Sequence, residues 1–162
     1  MGRLTLFARD QQGAAAVELA LVLPLLLALT FIMFDAANYA WSEHKVVMGV
    51  RDAARYAGRQ DFSKYTCPST IDNTVLTPIK NLARTGQLSG GDAKVAGWVD
   101  GDVTVALNCT AGTGGLYGVV GNNAPRVTVS TKLTYTSLFS AFGLRIVSLK
   151  IGASAESPVM GI

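Results

Sequence analysis

The sequence predicts an α+β fold in which a long N-terminal helix, apolar enough to span a membrane over its first half, packs on a small antiparallel sheet. Three observations lead there. After Gly13 come 21 residues, 14–34, with one ionisable side chain, Glu18; as a helix rising ~1.5 Å per residue they span roughly 31 Å, the thickness of a bilayer's hydrocarbon core. Beyond Phe34 small apolar residues keep recurring at helical intervals. Near the C-terminus, residues 126–136 alternate Val127, Val129, Thr131, Leu133 and Tyr135, the clearest strand signal in the chain.

The elements follow in order. Residues 1–13 form a short polar head in which Arg3 and Arg9 outweigh Asp10, and the positive-inside tendency keeps that end in the cytoplasm. Everything after Phe34 is then expected outside. Residues 14–34 are the transmembrane helix, kinked or locally opened at Pro24, whose nitrogen cannot donate to the residue four before it. Ala14, Ala15, Ala16, Ala20 and Ala28 leave room for close helix approach in lipid, where packing and polar contacts drive association. The helix continues through residues 35–60 on a narrow face of Ala36, Ala40, Val47, Val50, Ala54 and Ala57, with Gly58 as its stop. Tyr39 and Trp41 fit an interfacial aromatic belt.

After Gln60 the pattern changes to a separate α+β region, 61–162. Residues 61–70 read as a loop, and 71–85 as a second helix with Leu76, Ile79, Leu82 and Ala83 on its apolar side, weakened by Pro78 and ended by Gly86. Residues 87–97 form a loop. Residues 98–109 read as a hairpin or strand around Asp100-Gly101-Asp102, with Val103, Val105 and Leu107 on one side. The glycine-rich stretch 111–125 reads as a flexible loop and the likeliest contact for an outside partner. Residues 137–143 are a short apolar turn. Residues 144–156 are a final strand, antiparallel to its predecessor, with Val147, Leu149 and Ile151 as its apolar face. Arg145 and Lys150 argue against a second membrane span there.

Charge and composition narrow the function classes. The net charge of +3 comes from 14 basic and 11 acidic residues, too mild and dispersed for a nucleic-acid surface. Removing residues 1–34 leaves enough chain for a single core. His44, the only histidine, leaves nothing for a histidine triad or metal cluster, and we find no active site and no cofactor motif. Asp100-Gly101-Asp102, with Asp92 nearby, lacks the remaining ligands of a calcium loop and reads as a turn. Gly112-Thr113-Gly114-Gly115 is not followed by Lys-Ser/Thr and so is no phosphate loop. Asn108-Cys109-Thr110 matches a glycosylation sequon, which we read as chance. Cys67 and Cys109, the only cysteines, belong to no C-x-x-C or zinc pattern and read as a disulfide in an oxidising compartment, with two separate buried thiols as the alternative.

Glu18 is the residue that asks for a function. A carboxylate inside an apolar run costs up to ~3 kcal/mol at mid-bilayer, less near the interface, so such a residue marks a functional position that needs a partner. It lies five positions after Gly13. If the chain is cut after this glycine, Ala14 becomes an N-terminus bearing an ammonium, and opposite charges stand at the first and fifth residues of the mature chain. Between staggered neighbouring helices these two pair, removing two uncompensated charges from a low-dielectric setting.

The basic leader ending in Gln12-Gly13, followed by AAAVELALVLPLLL with glutamate fifth, resembles a type IV prepilin-class signal. The closest likeness is to the TadE-like pseudopilins of the tight-adherence (Tad/Flp) pilus. It includes Val17-Glu18, the run around Pro24, and VRDAARYA at residues 50–57. The resemblance implies a prepilin peptidase that cuts between Gly13 and Ala14, with Glu18 as the assembly acid. It also implies a pilin-like architecture, no enzymatic activity, and a bacterial inner-membrane location with the C-terminal domain periplasmic. Its implied partners are the major Flp pilin, other pseudopilins, the inner-membrane assembly platform and the lipid bilayer. Leu19 stands where major Flp pilins typically have tyrosine, Ala14 where classical type IV pilins start with phenylalanine, and a large domain follows. These departures favour a minor pilin over the main filament subunit. An ordinary cleaved secretory signal fits less well, because the apolar core is long and no small-residue site follows it. An uncleaved single-pass anchor carrying a periplasmic binding or structural domain is the alternative.

Overall fold

A computed structural model describes residues 12–112, 114–142 and 149–161. Helix α1, Gln12–Gly58, is followed by the short strands β1 (Tyr65–Thr66) and β2 (Thr70–Ile71), helix α2 (Asn73–Thr85), and strands β3 (Val103–Ala111), β4 (Asn123–Thr134) and β5 (Lys150–Pro158). The fold is α+β, a long helix with small antiparallel sheets. Contacts divide the chain into two units, Met1–Asn38 and Tyr39–Ile162. Residues 1–11 of the expected leader, 1–13, lie outside the described residues, as do the first positions expected for the last strand, Val147 among them.

The larger unit is built around a three-stranded antiparallel sheet in the order β3-β4-β5. Val129 pairs with Val105 on one side and Ala155 on the other, and Leu133 with Ile151. This register puts Val127, Val129, Thr131 and Leu133 on a buried face while Arg126, Lys132 and Thr134 face out, the period-2 alternation of a sheet with one wet side. Thr131 is the polar member of that face. It accepts from Trp98 Nε1 at 3.0 Å and donates to the Asp102 carbonyl at 2.8 Å, so its burial leaves no polar group unpaired. Trp98, 1 % exposed, anchors the irregular stretch after α2.

Within this unit α1 presents Ser42, Val46, Gly49, Val50, Ala53, Ala54 and Ala57 to the interior. The expected face is therefore corrected. Ala36 and Ala40 are exposed and Val47 only half-buried, while Ser42, Val46 and Ala53 take their places. Val50, Ala54 and Ala57 are buried as expected; alanine and valine also stand on the other sides of this helix, so counting small residues does not by itself select the stripe. Gly49 explains why small residues are needed: a Cβ there would run into the Ala83 carbonyl of α2 and the Trp98 ring. Tyr39 is also reassigned. Its ring packs edge-on against Tyr135 at 5.3 Å and its hydroxyl donates to the Lys150 carbonyl at 3.5 Å, making it part of the domain's packing.

Helix α2 starts two residues later than expected, capped by Asp72, whose carboxylate accepts from Thr74 N at 2.8 Å. Its buried side is Val75, Ile79 and Ala83, with Leu76 and Leu82 half-buried. Pro78 is accommodated inside it. Gly86 ends it at φ 81°, a left-handed position that glycine takes without a Cβ penalty, its N–H donating to the Leu82 carbonyl at 3.0 Å. Arg84 in the last turn donates to the Trp98 carbonyl at 3.1 Å and approaches the Asp100 carboxylate at 2.5 Å, tying the helix end to the following turn.

Two further expectations change. Within the stretch expected as a flexible loop, 111–125, a 3-10 segment occupies Gly115–Val120 and β4 already begins at Asn123. In the last strand Ile151 is buried, but Leu149 is 41 % exposed. Leu149 precedes β5, and its carbonyl accepts from Tyr135 N at 2.8 Å.

Beyond β5, Val159 N donates to the Pro125 carbonyl and Met160 N to the Gly58 carbonyl, at 2.9 and 2.8 Å. Val159 is fully buried, so the last turn of α1 receives a partner for an otherwise orphan carbonyl from the far end of the chain. Cys67, in the β1–β2 turn, and Cys109, on β3, form a disulfide.

Candidate membrane and assembly site

The first unit contains the apolar part of α1. From Val17 to Phe34 every Val, Leu, Ile, Met and Phe is more than 40 % exposed, up to 73 % at Leu21. Water does not tolerate such a surface on a stable monomer, since a contiguous apolar patch of this size marks a membrane or protein contact. The helix fits a single-pass membrane anchor by length and composition.

Gly13 lies in the first turn of the described helix, and a Cβ there would meet nothing within 4 Å. Glu18 is exposed in the next turn, and among the described residues it has no ion-pair partner. Carboxylate and glycine are thus on open surface, accessible to another molecule. The helix runs through Pro24 as one element, although the Ala20 carbonyl loses the usual donor there. Thr30 satisfies its hydroxyl internally by donating to the Leu26 carbonyl at 2.8 Å, a bond that suits a hydroxyl surrounded by apolar side chains.

The larger unit shows structural rather than chemical use of its polar groups. Asp102 accepts from Val99 N at 3.0 Å and Asp100 faces Arg84, so the Asp-Gly-Asp stretch is a capped turn. No three of His, Cys, Asp or Glu gather to hold a metal among the described residues. Tyr65 donates to the Ala57 carbonyl at 2.6 Å, and burial pushes its hydroxyl pKa well above the usual tyrosine value. The carboxyl of Asp72 is held below the usual range by the Thr74 N–H, the Thr74 hydroxyl and Lys64; that of Asp61 by the Ser63 hydroxyl and N–H. Both groups stabilise turns.

The long helix is where the chain meets a known family. Residues 13–55 match the family model of TadE-like proteins. No curated protein and no solved structure matches the chain. The TadE-like segment covers Gly13, Glu18, Pro24 and most of the second-half helix, and stops short of Cys67, Cys109 and the sheet. The match covers about a quarter of the chain. What sequence reasoning missed is the packing role of Tyr39 and the close approach at Gly49; the second is visible in sequence only as a glycine in a helical pattern.

Proposed function

We propose that this protein is a minor pilin, a pseudopilin made as a precursor and cut between Gly13 and Ala14 by a prepilin peptidase, that takes part in assembly of a Tad/Flp adhesive pilus. The observation that carries the reading is the exposed apolar segment of α1, with one carboxylate near its start, inside the TadE-like match. The membrane holds the subunit with its N-terminus in the cytoplasm and its C-terminal domain in the periplasm. Extraction into a helical bundle then replaces lipid contacts of Leu19 to Phe34 by contacts with neighbouring subunits, at little net apolar gain because both surroundings are apolar. The polar pair decides the docking. The Ala14 ammonium created by cleavage meets the Glu18 carboxylate of an adjacent helix, and desolvation of either charge alone makes the unpaired arrangement unfavourable. Its partners are the peptidase, the major Flp pilin, other pseudopilins and the inner-membrane platform.

The test is the intact mass and N-terminal sequence of the protein from its native membranes, with the peptidase present and absent. Loss of residues 1–13 only when the peptidase is present, leaving Ala14 free, is the expected result. A chain starting at Met1 under both conditions overturns processing and leaves an uncleaved anchored domain. Once processing is established, Glu18→Gln is expected to leave cleavage intact and abolish recovery of the protein with other pilus subunits.

A further inference from the structure

Strand β5 is an outer strand of the three-stranded sheet, and its register with β4 decides which of its backbone groups are used. Tyr135 N donates to the Leu149 carbonyl and Val159 N to the Pro125 carbonyl. With Leu133 opposite Ile151 and Val129 opposite Ala155, the odd-numbered residues from Leu149 to Val159 are those that bond to β4. Gly152, Ser154 and Glu156 therefore turn their N–H and C=O groups away from the sheet, and among the described residues these groups have no other backbone partner. Both ends of the open stretch are closed. The Tyr39 hydroxyl donates to the Lys150 carbonyl at 3.5 Å, and Pro158 has no N–H to offer. The opposite edge, β3, is flanked by α2 and by the disulfide at Cys109.

Helix α1 follows this open edge. Tyr39 meets Lys150, and Gly58 lies against Ser157 and Pro158, so helix and strand run in the same direction. Between them is a depression of about 360 Å³, lined by Arg51, Ala54, Arg55 and residues 154–157 of β5. Alternation along the strand puts Ala155 and Ser157 on the α1 side and Ser154 and Glu156 on the outer face, so the depression lies along the strand's rim. Arg51 and Arg55 are exposed and one helical turn apart, about 6 Å. Arg51 has no ion-pair partner among the described residues, and Arg55 reaches Asp52 only at 3.9 Å. Glu156 is held on the outer face by Arg126 at 2.8 Å. The α1 side of the rim is thus positively charged.

We propose that the open edge of β5 takes an extended acidic segment of a partner protein as a fourth strand, with alternate carboxylates of that segment reaching Arg51 and Arg55. Main-chain bonds to Gly152, Ser154 and Glu156 hold the segment, as in other cases of strand addition. An added strand lies about 4.8 Å beyond β5, alongside the depression. Every second side chain of it points to the α1 side, and these are about 6.6 Å apart, close to the spacing of the two arginines. An acid at every second position therefore pairs with both, through the two parallel N–H groups that a guanidinium offers a carboxylate. Ala54 and Ala155 are small and leave the room. A basic segment meets the same guanidinium groups with repulsion.

The test uses the full chain in lipid nanodiscs and the capped heptapeptide Thr-Glu-Thr-Glu-Thr-Glu-Thr, read by a binding isotherm and by amide exchange. With its glutamates toward α1, the peptide turns its threonine N–H groups to β5 and its glutamate N–H groups to solvent. It is expected to bind and to slow exchange at Gly152, Ser154 and Glu156. N-methylation of every threonine is expected to weaken binding about tenfold or more, because the ladder is lost, whereas N-methylation of every glutamate leaves it within about threefold. Lysine in place of each glutamate, or Arg51→Gln with Arg55→Gln, is expected to weaken binding about tenfold. Lys80→Gln, on α2, leaves it unchanged. Failure of the acidic peptide to bind overturns the proposal. So does equal binding by the threonine-methylated peptide, which shows charge attraction without a strand, or equal binding by the lysine peptide or the double arginine variant. Self-association of the chain alone, released by Ser154→Pro, gives the edge to a second copy and overturns the acidic segment as its occupant. Thermal unfolding checks the variants; the two methylated peptides need none and decide the matter if a variant unfolds.

Discussion

The two halves of α1 invert the usual relation between hydrophobicity and burial. Up to Phe34 the helix carries large leucines, phenylalanines and a methionine, all exposed; from Tyr39 onward it carries alanines, valines, a serine and a glycine, many of them buried. The most apolar sequence in the molecule contributes nothing to the described core. Burial here follows what can approach rather than what is most hydrophobic: small side chains let α2 come within contact of Gly49, whereas the large ones face surroundings that the protein itself does not supply. A helix can therefore be judged a core element or a membrane element by the size of its apolar side chains as much as by their number.

The largest expected effect on that contrast comes from the core that the second half helps to build. Trp98→Ala removes a buried ring together with its bond to Thr131 and is expected to destabilise the domain by about 3–5 kcal/mol in urea unfolding, with the anchor's membrane partition unchanged. Reduction of the Cys67–Cys109 bridge, or its replacement by Cys67→Ser with Cys109→Ser, is expected to lower stability by about 2–4 kcal/mol, read as a shift in the urea midpoint.

The same added methyl group can be placed in both halves. Gly49→Ala forces the α2 backbone at Ala83 to move and is expected to lower stability by about 1–3 kcal/mol. Gly13→Ala meets open space and is expected to leave domain unfolding within about 0.5 kcal/mol, while slowing peptidase cleavage. Equal stability losses at the two sites would break the comparison.

The smallest effect is electrostatic and confined to the second unit. Asp61 and Asp72 have folded pKa values below the ordinary carboxylate value. Their stabilising contribution is therefore fully present above about pH 4, the unfolded range, and fades as pH falls through the folded values. A urea midpoint followed downward from neutral pH should begin to decline near that point, and Asp61→Asn with Asp72→Asn should flatten the decline.

Much of this was legible from residues alone. The anchor declares itself by a long run with a single acid, and β4 by the strict alternation of Val127, Val129, Thr131 and Leu133, because a one-sided sheet imposes that pattern. Gly86 marks the end of α2, whereas Asp72, read as part of the helix, is its cap. The buried stripe of α1 was placed only in part, because Ala36 and Ala40 resemble Ala53 and Ala57 in everything but position, and only the partner surface distinguishes them. The start of β4 was hidden by Asn123 and Pro125, residue types that usually avoid strands; Pro125, opposite Cys109, is tolerated with its carbonyl used by Val159. Leu149 was assigned inward on alternation, yet it lies just before β5 begins and faces out. As for the candidate site, Gly13 and Glu18 stand out by spacing and charge.

The bond from Met160 N to the Gly58 carbonyl also fixes an order of events. A ribosome delivers α1 first and the residues that complete its final turn last, so the anchor can enter the bilayer while its outer end still lacks a partner. The last turn of α1 and the sheet are therefore completed together, only once β5 and Val159 have been made.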